Sequence, residues 1–166
     1  MARVFVSVGS NIRPEENLRL ACAELERRFG DLDLSSVYRN PPVGFDGEDF
    51  LNLVAGFDTE GDPEEVIAEL EQIHRLAGRQ RGAERYGPRT LDLDLLLYDD
   101  LVTEGPPLTL PRDDVLKYDF VLGPLAELVP DLVHPVDGRR LADLWEAFED
   151  GDRRLTVEDV DVEARI

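Results

Sequence analysis

Twice along this chain a segment with strand periodicity leads into an amphipathic helix and then into a second strand-like segment. In "RVFVSVGSN", Val4, Val6 and Val8 share one face, which predicts a strand ending at the glycine. From Pro14 to Phe29, Leu18, Leu20, Ala21, Leu25 and Phe29 recur at helical spacing, with Pro14 near the start and Gly30 as the stop. "DLDLSSVYRN" reads as the returning strand, and "PPVGFDGEDF", with two prolines and two glycines, as a loop. The pattern then repeats. "FLNLVAGFDT" is strand-like, and "DPEEVIAELEQIHRLAG" predicts a helix capped by Asp62 with Pro63 at its first position. A glycine- and arginine-rich loop, "GRQRGAERYGPR", precedes a further strand, "TLDLDLLLYDD". "FVLGPLAELVP" includes a short helix and "GRRLADLWEAFED" suggests one more, while the acidic tail from Val157 has no readable period. Two strand–helix–strand units predict an α+β sandwich of the ferredoxin-like kind, with a mainly antiparallel sheet. With no internal repeat and no linker, residues 1–166 read as a single domain.

Composition excludes several classes of function. A formal net charge of −19 argues against nucleic acid or an anionic membrane as the main partner. No apolar run approaches the roughly 18 residues of a membrane span, and "MARVFVSVGSN" does not read as a signal peptide. Cys22 is the only cysteine, which excludes an internal disulfide and a CxxC zinc site and fits a reducing cytoplasm. The single lysine, Lys117, lies in "VLKYD" and not in a phosphate-binding GxxxxGK[ST] loop. Phosphate, if handled at all, falls to arginines and metal.

The strand at residues 91–98 carries the sharpest anomaly. Side chains alternate along a strand, so Leu91, Leu93, Leu95 and Leu97 are expected on one face and Asp92, Asp94, Leu96 and Tyr98 on the other. Residues two apart lie about 6.5–7 Å apart along a strand. Two carboxylates so close repel unless a cation offsets them. Magnesium suits the pair, being held by one or two carboxylates together with substrate phosphates. The bland alternative is a wet outer face in an acidic protein.

Just before this strand the charge reverses. Residues 71–90 hold Arg75, Arg79, Arg81, Arg85 and Arg89 against two glutamates, a local +3. Guanidinium forks match phosphate oxygens bidentately, so a cationic loop leading into an aspartate pair suits a polyphosphate–magnesium substrate. Arg75 is assigned to the helix end, where it complements the dipole.

"RYGPRTLDLD" closely resembles the signature of the 6-hydroxymethyl-7,8-dihydropterin pyrophosphokinase family of folate biosynthesis. "VSVGSN", "SSVYRNPPVG", "DFLNLVAGF" and "FVLGPLAEL" follow the family's order and spacing, and the resemblance covers roughly residues 3–135. It implies a ferredoxin-like α/β/α fold and transfer of pyrophosphate from ATP to the pterin hydroxymethyl group, with release of AMP. Asp92 and Asp94 would hold two magnesium ions between ATP and the pterin hydroxyl. Arg79 and Arg89 match family loop arginines that stabilise the transferred group, and Arg81 falls on another. The flat pterin would lie between aromatics matching Phe50 and Phe120. Its amide edge would be read by Asn52 and by the loop Asn40 to Gly44, including Pro41 and Val43. Each Phe could equally be ordinary core, whereas a purely structural core would bury the Asn52 amide at some cost. Gly9, Ser10 and Asn11 are expected to shape a turn more than to touch substrate.

Several positions depart from the family pattern. Arg112 stands where a histidine is common, Tyr118 where an arginine is expected, His74 where a glutamate is expected, and Tyr86 where a tryptophan is usual. Arg112 can still meet an ATP phosphate, and Lys117 can partly replace the missing cation. Without zinc-ligand spacing, His74 and His134 read as structural. The leading expectation is therefore a monomeric, cytoplasmic pyrophosphokinase with ATP and the pterin as its ligands. The alternatives are a non-catalytic pterin- or nucleotide-binding paralogue and a ferredoxin-like regulatory module.

Overall fold

The computed structural model describes residues 1–42, 47–78, 91–105, 108–148 and 155–162. Its elements run β1 (Ala2–Ser10), α1 (Pro14–Phe29), β2 (Asp33–Leu34), β3 (Val37–Asn40), β4 (Phe50–Thr59), α2 (Pro63–Leu76), β5 (Asp92–Tyr98), α3 (Asp114–Lys117), α4 (Asp119–Leu128), α5 (Leu141–Ala147) and β6 (Thr156–Glu158). The strands form one sheet in the order β5-β1-β4-β3-β6, with β2 also pairing β4, and every pairing is antiparallel. This is the expected ferredoxin-like arrangement.

The two helices that follow β1 and β4 cover one face of the sheet. Leu18, Ala21 and Leu25 of α1 and Val66, Leu70 and Ile73 of α2 pack against Val4, Val6, Val8, Leu53, Leu93 and Leu95. Both helices begin and end on their sequence signals. Pro14 opens α1 and Gly30, at φ 90°, ends it. In α2, Asp62 accepts from the Glu65 N–H and Glu65 reaches back to the Asp62 N–H, a capping box with Pro63 in the first turn. The opposite face is covered by α3, α4 and α5, whose Val115, Val121, Leu122, Leu125, Leu141 and Leu144 pack on Phe5, Val54, Leu96 and Leu97.

Three features depart from the sequence reading. The segment "DLDLSSVYRN" is broken into β2 and β3, because Ser35 and Ser36 offer the backbone other partners. Ser35 Oγ accepts from the Val54 N–H at 2.9 Å, and Ser36 donates through both its N–H and its hydroxyl to Glu127 of α4. Within β5 the register slips against Phe5/Val6 of β1, leaving Leu96 as an extra residue. Leu97 therefore joins the α4 side, and Tyr98 turns to the α1/α2 side, donating to the Gly61 carbonyl at 2.6 Å. Finally, the acidic tail contains β6, which pairs with β3, while Val162 is buried in the α1/α2 core. Among the described residues no helix is long and apolar enough to cross a membrane.

Candidate active site

Asp92 and Asp94 project on the α4 side of β5, since Leu91, Leu93 and Leu95 are buried on the other side. Both carboxylates are partly exposed. Across the sheet, Asp92 lies opposite Gly9 of β1, Gly9 lies opposite Asn52 of β4, and Asn52 lies opposite Tyr38 of β3. Strands are spaced at about 4.8 Å, so a floor roughly 10 Å wide separates the aspartate from the amide. Gly9 is the bare strip between them. A Cβ there would come within 2.5 Å of Asn52 Oδ1.

The amide end of this floor is ordered by contacts between distant residues. Asn40 and Asn52 are both buried, and Asn52 Nδ2 donates to Asn40 Oδ1. Asn40 Nδ2 donates in turn to the Pro41 carbonyl at 3.1 Å. Phe50 pairs with Asn40 and, two residues from Asn52, shares its face. Beneath this corner, Tyr38 Oη donates to Glu127 at 2.6 Å, and burial followed by the carboxylate pushes the phenol pKa up. Phe120, in the first turn of α4, stacks on Tyr118 with centroids 5.0 Å apart and 19° between planes. Lys117 places its ammonium 5.3 Å from the Tyr118 centroid, so in this arrangement its charge rests on that ring.

At the acidic end, Arg112 is tethered by its N–H to the Leu96 carbonyl at 2.9 Å. Its Nη2 lies 3.5 Å from Asp94 Oδ1, and its Nε donates to Asp114 at 3.2 Å. Burial opposes its charge, yet the fields of Asp94, Asp114 and Asp92 outweigh burial and hold the guanidinium pKa above its ordinary value. Arg112 is thus the cation beside the aspartates among the described residues.

The donor set fits a hard divalent ion that arrives with its substrate. Among the described residues no three His, Cys, Asp or Glu side chains are gathered as a metal cage. Two carboxylates alone leave most of an octahedral shell to phosphate and water, which is how magnesium is commonly held.

The structure brings Asp92, Asp94, Arg112, Asn40, Phe50, Asn52 and Phe120 to one side of the sheet, and Pro41 follows Asn40 just beyond β3. Val43, Arg79, Arg81 and Arg89 lie outside the described residues. Gly9 corrects the sequence reading, because it lies within β1 under the site; Ser10, the last residue of β1, and Asn17 donate to the Ile12 carbonyl and shape the turn, whereas Asn11 donates to the Glu48 carbonyl at 3.3 Å. Tyr118 was also missed as a stacking partner. The signal for Gly9 is the strand order, which periodicity does not give, and that for Tyr118 is its place two residues before Phe120.

A family model described as 7,8-dihydro-6-hydroxymethylpterin-pyrophosphokinase matches residues 5–130. The 2-amino-4-hydroxy-6-hydroxymethyldihydropteridine pyrophosphokinase of Haemophilus influenzae is 35% identical over 154 residues, covering 90% of this chain and 95% of that protein. Its namesake from Pseudomonas aeruginosa is 40% identical over 149 residues, covering 87% and 91%. Among solved structures, Plasmodium falciparum HPPK-DHPS A437G with STZ-DHP superposes with a TM-score of 0.72 at 12% identity, over 89% of this chain but 45% of that one. That likeness shows the fold, and this chain spans less than half of the longer protein. The match of the family model, and relatives matched over nearly their full length, show that this chain belongs to the 7,8-dihydro-6-hydroxymethylpterin-pyrophosphokinase family.

Proposed function

We propose that this protein transfers the terminal pyrophosphoryl group of ATP to the hydroxymethyl oxygen of 6-hydroxymethyl-7,8-dihydropterin, in folate biosynthesis. The hydroxyl oxygen bonds to the β-phosphorus, the bond from that phosphorus to the α–β bridging oxygen breaks, and AMP leaves. The hydroxyl proton is released with the products. The nucleophile belongs to the substrate, so the chain's task is positioning and charge stabilisation.

Asn52 and Asn40 read the amide edge of the pterin, with Pro41 and Val43 from the same loop, and Phe50 and Phe120 hold its faces. Asp92 and Asp94 would hold two magnesium ions, which when bound neutralise phosphate charge and orient the triphosphate. Arg79, Arg81 and Arg89 bind the triphosphate, Arg79 and Arg89 also stabilising the charge that develops on the transferred group. Arg112 and Lys117 contact ATP from the segment before α4. The enzyme acts as a cytoplasmic monomer, one domain spanning residues 1–166.

The observation that carries this reading is the common face of the aspartate pair and the Asn52 amide, with Gly9 between them. The test is direct. Protein, ATP, magnesium and the pterin are mixed, and AMP is measured. AMP formation that depends on the pterin is expected, whereas ADP would indicate ordinary kinase chemistry and overturn the proposal. Tyr118, stacked on Phe120 where the family pattern has an arginine, favours one second reading, a pterin-binding paralogue without turnover. Tight pterin binding with no AMP would establish it.

A further inference from the structure

The mechanism above gives no task to His74, which lies buried on α2, on the opposite side of β5 from the carboxylates. Its position is nonetheless specific. Among the described residues β5 ends the sheet and pairs only with β1. Alternate backbone N–H groups of such a strand point away from the ladder and need another acceptor. For Leu93, the residue between Asp92 and Asp94, that acceptor is His74 Nε2, at 2.8 Å in a buried contact. An Nε2 that accepts must carry its ring proton on Nδ1, and Nδ1 lies 3.2 Å from Glu71 Oε1, one turn earlier on α2.

The place of this bond matters more than its existence. β5 begins at Asp92, so both aspartates sit in its first three residues, at a strand end that among the described residues is bonded to a neighbouring strand on one side only. Strand ends fray first, and edge strands have half the usual ladder. The Leu93–His74 bond supplies the missing side at the residue flanked by both carboxylates. It also ties that strand end to a long helix with a capped start.

We infer that His74 is a positioning residue for the aspartate pair: through the Leu93 N–H it fixes the backbone that sets the separation and direction of the two carboxylates. This rests on the reading of Asp92 and Asp94 as metal ligands.

The test uses the full chain and manganese(II) alone as probe, with free ion followed by electron paramagnetic resonance. All measurements are made at a temperature where circular dichroism shows each variant folded. His74→Leu fills the space without an acceptor, while His74→Gln restores one. His74→Leu is expected to weaken manganese binding about fivefold, the equivalent of one net hydrogen bond, and to lose hydrogen-exchange protection at the Leu93 amide. His74→Gln is expected to stay within about twofold of the parent and to keep that protection. Should the leucine variant fail to fold, His74→Phe, a flat ring with no acceptor, takes its place with the same expectation. Parent-like manganese binding in the acceptor-less variant, while Asp92→Asn and Asp94→Asn lose it, would overturn the inference and leave the metal site standing. If the two aspartate variants bind manganese as the parent does, the metal site itself falls, and the role of His74 with it.

Discussion

Asp94→Asn changes one oxygen to an amide nitrogen on a partly exposed strand position, so it removes charge without removing volume. AMP formation is expected to fall by about three orders of magnitude, because metal-assisted charge stabilisation supplies several kcal/mol. The melting temperature should stay within a few degrees of the parent, and parent-like turnover would exclude the site. Gly9→Ala tests the other end of the floor. Alanine suits a strand better than glycine, yet its Cβ would sit 2.5 Å from Asn52 Oδ1, and Asn52 is buried and bonded to Asn40. The amide must turn, so the pterin dissociation constant is expected to rise about tenfold, the loss of roughly one well-placed hydrogen bond. Fluorescence titration with the pterin checks it, and unchanged affinity would detach Asn52 from recognition. The aspartates were legible in the sequence because polar residues among alternating apolar ones announce themselves, whereas Asn52 was assigned through the family resemblance, the cost of burying its amide only adding weight. Gly9, the Asn40–Asn52 contact and the Leu93–His74 bond were not legible, because each joins residues that only the strand order or a neighbouring helix brings together.

Among the elements, those with their own start and stop signals were read correctly, and those shaped by remote partners were not. Helix α2 carries its cap, its proline and its apolar stripe within its own residues. The break between β2 and β3 depends on Glu127, 91 residues beyond Ser36. A bulge is one surplus residue, and "LDLDLLLYDD" alternates equally well with or without it, so the switched faces of Leu97 and Tyr98 needed the pairing to β1. The turn before α5 is local but depends on protonation. His134 is buried, and its Nδ1 accepts from the N–H groups of Val136 at 3.2 Å and Asp137 at 3.0 Å. Burial lowers its pKa from 6.5, and the nearby Asp137 carboxylate only partly opposes this. Below 6.5 the unfolded chain therefore binds a proton that the folded turn resists, and stability falls with pH until the folded pKa is passed. His134→Asn keeps an acceptor near the same place but does not titrate. Its melting temperature should vary less than the parent's between pH 7.5 and pH 5, and parallel profiles would show that this turn does not set the acid response.

At the scale of the whole molecule, charge acts in two opposite senses. Thirty-seven acidic residues face eighteen basic ones, so the folded chain, at −19, repels itself. Surface pairs such as Arg27–Glu24 and Arg140–Asp143 oppose that repulsion, but exposed pairs contribute about 0–1 kcal/mol each. Screening weakens both, and the net term dominates because most carboxylates cannot find a cation. Raising potassium chloride from 0.05 M to 1 M shortens the Debye length from above 10 Å to about 3 Å, so the melting temperature is expected to rise by several degrees. The site inverts that balance. Residues 71–90 carry a local +3, and the proposed ATP contacts depend on those arginines together with Arg112 and Lys117. Salt that stabilises the fold should therefore raise the KM for ATP while leaving the KM for the uncharged pterin nearly unchanged. Calorimetry and AMP assays over one salt series measure both. A melting temperature that fell as KM rose would mean that local ion pairs, and not net charge, govern this fold. A pterin KM that rose in step with that of ATP would mean that salt acts on the shared sheet floor, not on the cationic contacts to the triphosphate.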